Sequence, residues 1–264
     1  MNKLICPLCS LSLVGTESGA VCANRHHFDR SKDGYLNLLP VHHKNSREPG
    51  DAKQQLSARR AFLSAEYFAP LLCELKKIIS PDTDTLLDVG CGEGYFTRGL
   101  VDHCSGADIY GIDISKAGIH LASKIDRRST YAVASSHSLP LANASMDVIL
   151  RVYAPSKDPE LCRVLRPGGK LIIVTPGERH LIGLRKEIYR EVRPHPKPQA
   201  PGGFVEIAQS QLGFTLDIPP GDLTRALLAM TPFAWRLKPA DMAALEVLGL
   251  KDEADFQIAT YQLK

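Results

Sequence analysis

No apolar run in the 264 residues approaches the roughly 20 that a membrane-crossing helix needs, which excludes a chain that spans a membrane by helices. The opening "MNKLICPLCS" has neither a long apolar core nor a small-residue cleavage site, so no secretory leader is expected. There is no internal repeat. Charge of one sign is not in excess. The net charge of +3 is too small to point to nucleic acid by itself. Cysteine is present but odd in number, at seven, and Cys73, Cys91, Cys104 and Cys162 are scattered. That pattern fits a reducing, cytoplasmic setting better than a disulfide framework.

What is present falls into three zones. Residues 1–40 are Cys-rich, with short apolar runs broken by turns, and predict a small β-rich module. Residues 41–56, "VHHKNSREPGDAKQQL", are polar with a Pro-Gly-Asp turn and predict a linker. Residues 57–264 alternate helical and strand patterns. "TLLDVG", "DIYGIDI", "TYAVASS", "MDVILRVY" and "GKLIIVTP" are strand-like, with helical stretches between them, and "ADFQIATYQL" predicts a late strand. This alternation predicts an α/β fold with a doubly wound parallel sheet. "VRPHPKPQAPGGF" predicts a lid-like loop. Basic residues gather in 30–60 and again in 163–197, which can make a local positive surface.

"LLDVGCGEGYF" predicts a strand, a tight turn and a helix. Gly90, Gly92 and Gly94 permit positive φ and close approach of a ligand to the backbone. The following helix would aim N–H groups at that ligand. In a nicotinamide-cofactor turn the third glycine comes one residue later, where this chain has Tyr95. Asp88 stands two residues before Gly90. An acid there suits a ligand with a cationic end, such as the aminoacyl part of S-adenosylmethionine, better than a pyrophosphate. Asp113, ending the next strand, stands where such folds bind ribose hydroxyls. Asp113 could instead cap the next helix, although Ser115 would serve equally. With "LRPGGKLIIV" further on, the order of features resembles class I methyltransferases, which have a Rossmann-like sheet and use S-adenosylmethionine.

Cys6, Cys9, Cys22 and His26 form C-x2-C-x12-C-x3-H, the spacing of a closed tetrahedral zinc site. His27 is the rival fourth ligand. Four protein ligands leave no open position, so the metal would be structural. A module of about 40 residues buries too little apolar surface to fold unaided, and zinc would stabilise it. A redox C-x-x-C is the alternative, but that motif belongs beside a βαβ pattern.

The chain as a whole resembles the RlmA (RrmA) family of 23S ribosomal RNA guanine-N1 methyltransferases, in its Gram-negative form. The resemblance rests on "CPLC", "CANRHHFD", "DGYLNLLPVHHKNSREPGD", "ARRAFL", "LDVGCGEGY", "GIDISK", "RVYAPSK", "RPGG", "TPGERHL" and "MTPFAW", from residue 6 to residue 235. It implies a zinc domain that grips RNA, a catalytic domain that uses S-adenosylmethionine, 23S rRNA as partner, and a homodimer. It places cofactor contacts on Gly92, Glu93 and His180. A further aromatic contact falls on Phe68, where better-known members carry Tyr, and Tyr67 beside it is an alternative source of a hydroxyl.

Guanine N1 must lose a proton as it is methylated, so a base, or a donor to O6, is expected. Tyr153, at the end of the fourth strand, is the candidate catalytic residue, with His180 and His137 behind it. Tyr153 could equally be a stacking wall. Phe233 and Trp235 could stack on a flipped base or be core residues. Two other functions share these features. One is a methyltransferase acting on a quinone- or polyketide-like small molecule. The other is a zinc-bearing RNA-binding protein that has lost catalysis.

Overall fold

The computed structural model describes residues 3–40, 53–189, 191–192, 199–231 and 236–264. The expected linker lies outside these as far as residue 52, as do Phe233, Trp235 and most of "VRPHPKP". From Lys53 the chain is already helical.

The first strands are β1 (Val14–Gly15), β2 (Gly19–Val21) and β3 (His27–Asp29), an antiparallel sheet of their own. β4 (Leu36–Asn37) belongs elsewhere, as the edge strand of the large sheet. Helix α1 (Lys53–Ser64) is separated from α2 (Ala69–Ile78) by Glu66 at φ +62°, and Pro70 begins α2. The continuous apolar periodicity of "SARRAFLSAEYFAPLLCELKKII" is therefore broken by a left-handed residue and a proline.

The parallel core alternates strands and helices. It runs β5 (Thr85–Val89), α3 (Tyr95–Val101), β6 (Asp108–Asp113), α4 (Lys116–Ile125), β7 (Thr130–Val133), β8 (Met146–Val152), α5 (Asp158–Val164) and β9 (Leu165–Pro176). After α6 (Ile182–Ile188) come β10 (Phe204–Ile218), α7 (Asp222–Met230), α8 (Pro239–Leu248) and β11 (Leu250–Leu263). The eight strands lie in the order β10-β11-β9-β8-β5-β6-β7-β4. β11 runs antiparallel to both its neighbours, and the other pairings are parallel. β5 is central and all five of its residues are buried. Its neighbours are β6 on one side and β8 on the other, so the winding reverses at its carboxyl end. That is where open α/β sheets bind ligands.

β10 and β11 pair over most of their length, yet the pattern of β10 predicts no strand. Residues 205–211 of β10 are all exposed, so neither face carries the alternation that marks a half-buried strand.

The N-terminal segment is joined to the sheet. The Ile5 N–H donates to Pro140 O at 2.9 Å, the Ala142 N–H donates to Lys3 O at 2.9 Å, and Leu4 bridges to Leu141. Leu4, Leu13, Leu36 and Leu38 pack in one apolar cluster with Leu87, Ile112, Leu139 and Leu141.

Candidate zinc centre and cofactor cavity

Two backbone knuckles face each other in residues 6–26. In the first, Ser10 at φ +59° turns the chain after Cys9, and its N–H donates to Cys6 O at 2.8 Å. In the second, Arg25 at φ +62° does the same before His26, donating to Cys22 O at 2.8 Å. The turns bring together Sγ of Cys6, Cys9 and Cys22 and Nδ1 of His26, all within 4.8 Å of one another. Nδ1 is 3.4 Å from Sγ of Cys6 and of Cys22, and the Cys9 and Cys22 sulfurs are 3.6 Å apart. A zinc tetrahedron with bonds of about 2.3 Å to sulfur and 2.0–2.1 Å to nitrogen has edges of roughly 3.5–3.8 Å. The donor set fits structural zinc in type, number and spacing. His27 lies in β3 and is outside the cluster.

At the carboxyl end of β5 the chain enters a cavity of about 1010 Å³, at the upper end of small-molecule sites. Gly90, Gly92 and Gly94 have φ of +73°, +56° and +80°. A Cβ on Gly90 would come 2.3 Å from the Ala154 Cβ, so this position must be glycine. A Cβ on Gly92 would project into open space, with only Arg59 Nη1 within 4 Å, at 3.9 Å. The loop thus offers bare backbone to the cavity.

Three carboxylates line the same region. Asp113 Oδ2 accepts the Gly92 N–H at 2.9 Å, and Oδ1 accepts the Ser115 N–H at 2.7 Å. Ser115 is the cap of α4, accepting the Gly118 N–H at 3.2 Å. Asp113 is instead the brace that holds β6 to the glycine loop. Asp88 is 2% exposed and accepts the Thr97 hydroxyl at 2.6 Å. Burial pushes its carboxyl up to about 7, against the Thr97 hydrogen bond and with help from Asp113. Glu93, also buried, pairs with Arg98 at 2.9 Å. Burial raises its pKa while Arg98, Arg60 and Arg59 oppose the shift. An acidic floor under bare backbone suits a ligand with an ammonium group and ribose hydroxyls, which fits S-adenosylmethionine.

Along the same cavity Phe68, Tyr153 and His180 gather beside Phe256. His180 and Phe256 centroids are 5.2 Å apart, Tyr153 and His180 6.0 Å, and Phe68 and Phe256 5.1 Å. Tyr153 sits after β8 at φ +53°, with its side chain partly open to the cavity. Burial against the apolar wall, and then the negative Asp255, hold its phenol above the ordinary value. His180 Nδ1 accepts the Asp255 N–H at 3.2 Å, which places the neutral ring's proton on Nε2. Phe68 lines the cavity, whereas Tyr67 stacks on Phe62 at 4.9 Å. His137 lies on the rim, in the loop of Ser135, Ser136 and Ser138.

Arg185, in the second basic segment, is 4% exposed and donates to Glu178 O at 3.0 Å, so it is not on a nucleic-acid surface. Sequence reading misses α1 and α7 as walls: Leu56, Arg59 and Leu63 come from one, Leu227 and Met230 from the other. The i, i+3, i+7 spacing of the first three was the available signal.

Residues 4–47 match a zinc-ribbon family described as "RlmA, N-terminal", and residues 87–173 match a methyltransferase domain. A 23S rRNA (guanine(748)-N(1))-methyltransferase of Streptomyces fradiae is 31% identical over 92% of this chain and 89% of its own length. The chain belongs to the RlmA methyltransferase family. An RlmA relative from Bacillus subtilis (strain 168), provisionally named for 23S rRNA guanine-N1 methylation, is 34% identical over 91% of this chain and 89% of its own. A malonyl-[acyl-carrier protein] O-methyltransferase of Hahella chejuensis is 39% identical, but over only 34% of this chain and 36% of its own. The RlmA membership confirms a methyltransferase with S-adenosylmethionine as cofactor and zinc as the structural metal of residues 6–26.

Proposed function

We propose that this methyltransferase acts on N1 of a specific guanine in a 23S rRNA hairpin. The observation that carries the reading is where the zinc ribbon is fastened. Its first residues bond to residues 140–142, and the same loop, at 135–138, forms a rim of the cofactor cavity. RNA held on the ribbon would therefore reach the cavity mouth. A small-molecule methyltransferase has no use for that arrangement. Arg25, Arg30 and Lys32 are exposed on or beside the ribbon and are candidate phosphate contacts. Lys44, Arg47 and Arg190, in the two basic segments, are candidates too and lie outside the described residues. Lys186 is exposed on α6.

With it go residues 1–40 as zinc and RNA module, 41–56 as linker and 57–264 as catalytic unit, although β4 already lies in the large sheet and α1 begins at Lys53. Phe68, Asp88, Gly90, Gly92, Glu93, Asp113 and His180 make up the cofactor site. S-adenosylmethionine, when bound, supplies a methyl group already activated by its sulfonium. The protein's own part is then alignment and charge control. The target base must leave its pair to expose N1. Tyr153, backed by the buried Phe256, gives it a wall. Tyr153, which stays protonated, can donate to O6 as the N1 proton passes to solvent water, and His180 can do so from Nε2. The reading carries with it a homodimer acting in the cytoplasm, as the family resemblance implies.

Transfer of tritiated methyl to unmodified 23S RNA, with the modified base mapped by mass, tests the activity. Methylation at guanine N1 is expected, and label on a carboxylate acceptor alone would reverse the reading. In the full-length chain, Arg25→Ala with Lys32→Ala should weaken hairpin binding and flatten its salt dependence, by a slope of roughly 0.7 per lost contact for single strands.

A further inference from the structure

S-adenosylmethionine ends in an amino acid with both an ammonium and a carboxylate. The glycine-loop side of the cavity carries Asp88, Glu93 and Asp113. These suit the ammonium and the ribose hydroxyls, and they repel a carboxylate. A cation must balance them if the amino-acid end lies here. Arg98 is the nearest on α3, but it is engaged with Glu93 through Nη1 and Nη2 and does not line the cavity. Lys157 also lines it, in the segment after β8, three residues beyond Ala154, which packs against Gly90.

Arg59 is different. It comes from α1 with Leu56 and Leu63, three and four residues away on the same helix face, and all three line the cavity. Its Nη1 stands across from Gly92, at 3.9 Å from the point where a Cβ would be, and apart from the adjoining Cys91 and Glu93 no other residue is within 4 Å of that point. We infer that Arg59 binds the carboxylate of the cofactor's amino-acid end, clamping it against Gly92. This rests on the glycine loop being the cofactor site. A guanidinium can hold a carboxylate through two parallel hydrogen bonds, which a lysine cannot do. It also ties cofactor binding to α1, the first described element after residues 41–52.

Calorimetry with two ligands tests this. S-adenosylhomocysteine has the amino-acid end, and 5′-methylthioadenosine lacks it. Arg59→Gln should weaken S-adenosylhomocysteine by about ten- to a hundredfold, the usual range for a hydrogen bond to a charged group, and leave methylthioadenosine unchanged. Arg59→Lys should weaken S-adenosylhomocysteine less. Unchanged S-adenosylhomocysteine affinity in Arg59→Gln would overturn the assignment. Equal weakening of both ligands would do so too, since Arg59 would then only support the fold. Wild-type protein that bound neither ligand would remove the glycine loop as cofactor site and the inference with it, whereas loss confined to the variant leaves that site standing.

Discussion

In the zinc ribbon, three thiols and an imidazole meet within a span of 4.8 Å. At the glycine loop, three carboxylates line one wall of a cavity. Both gather groups that burial penalises when ionised, and they are compensated differently. The carboxylates are answered by the protein itself: Gly92 and Ser115 N–H groups for Asp113, the Thr97 hydroxyl for Asp88, Arg98 for Glu93. The thiols have mainly one another and His26, and only a metal ion completes them. The ribbon is thus conditional on its ligand. The glycine loop is built in advance of its own. Opposite pH behaviour follows as well. Zinc needs thiolates and is lost as pH falls, whereas a carboxyl raised by burial destabilises as pH climbs.

The largest effect should come from removing a zinc ligand. Structural zinc contributes about 10–16 kcal/mol of binding free energy in isolated fingers. Cys22→Ala should bring zinc from one equivalent to well under half, by metal analysis. Amide protection in β1–β3 should disappear. S-adenosylhomocysteine should still bind, with its affinity lowered severalfold at most, because Gly90–Gly94, Asp88 and Asp113 are held by bonds within the large sheet and its helices and not by the zinc ligands. Complete loss of cofactor binding would break the contrast and make the two regions one folding unit.

The two regions were unequally legible in the sequence. The zinc ligands lie within 21 residues, and spacing alone marks them, because each knuckle is local. Gly90 to Gly94 and Asp88 are also local. The rest of the cavity is assembled from afar: Arg59 from α1, Met230 from α7, and Phe256 stacking behind His180 from β11. No short window holds those together. The parallel core was readable because its strands carry short, mostly buried apolar runs. β10 was not, because as an exposed edge it has no buried face to imprint a pattern. β4 was also hidden. Two residues, Leu36 and Asn37, carry the ribbon's chain into the large sheet, and so short a strand leaves no periodicity.

The second prediction uses the pH contrast. Asp88 has its carboxyl raised from an ordinary 3.8 to about 7. Between these values the folded state holds more protons than the unfolded chain, so stability falls as pH rises through this window and stays low above it. From pH 5 to pH 8 the loss should be at most about 3 kcal/mol, from about 1.4 kcal/mol per pH unit up to pH 7. Asp88→Asn keeps an acceptor for Thr97 and cannot ionise. Urea unfolding of zinc-loaded protein at the two pH values should show wild type losing more stability than the variant. Equal losses would mean that Asp88 is ionised as easily in the fold as out of it, and the glycine loop would then be less dry than its geometry implies.

The smallest effect concerns the seam between the two regions. Asp33, just before β4, meets His120 of α4 at 2.9 Å. It is the one ion pair across this seam among the described residues, and a pair only when His120 is protonated. The His120 side chain is 40% exposed, so water screens the contact. Exposed pairs contribute about 0–1 kcal/mol. Beside it Tyr35 and Leu39 pack on Ile119, Ala122, Tyr131 and Val133, all buried. Burying side chains of that size contributes about 1.5–3 kcal/mol each. The seam is therefore apolar in origin, with the ion pair at its edge. Asp33→Asn should lower stability by less than about 1 kcal/mol in urea unfolding, with zinc content and S-adenosylhomocysteine affinity unchanged. A larger loss, growing at low salt, would mean that charge holds the ribbon to the sheet. The ribbon would then release at high ionic strength, and the fixed route from the RNA module to the cavity mouth would fail with it.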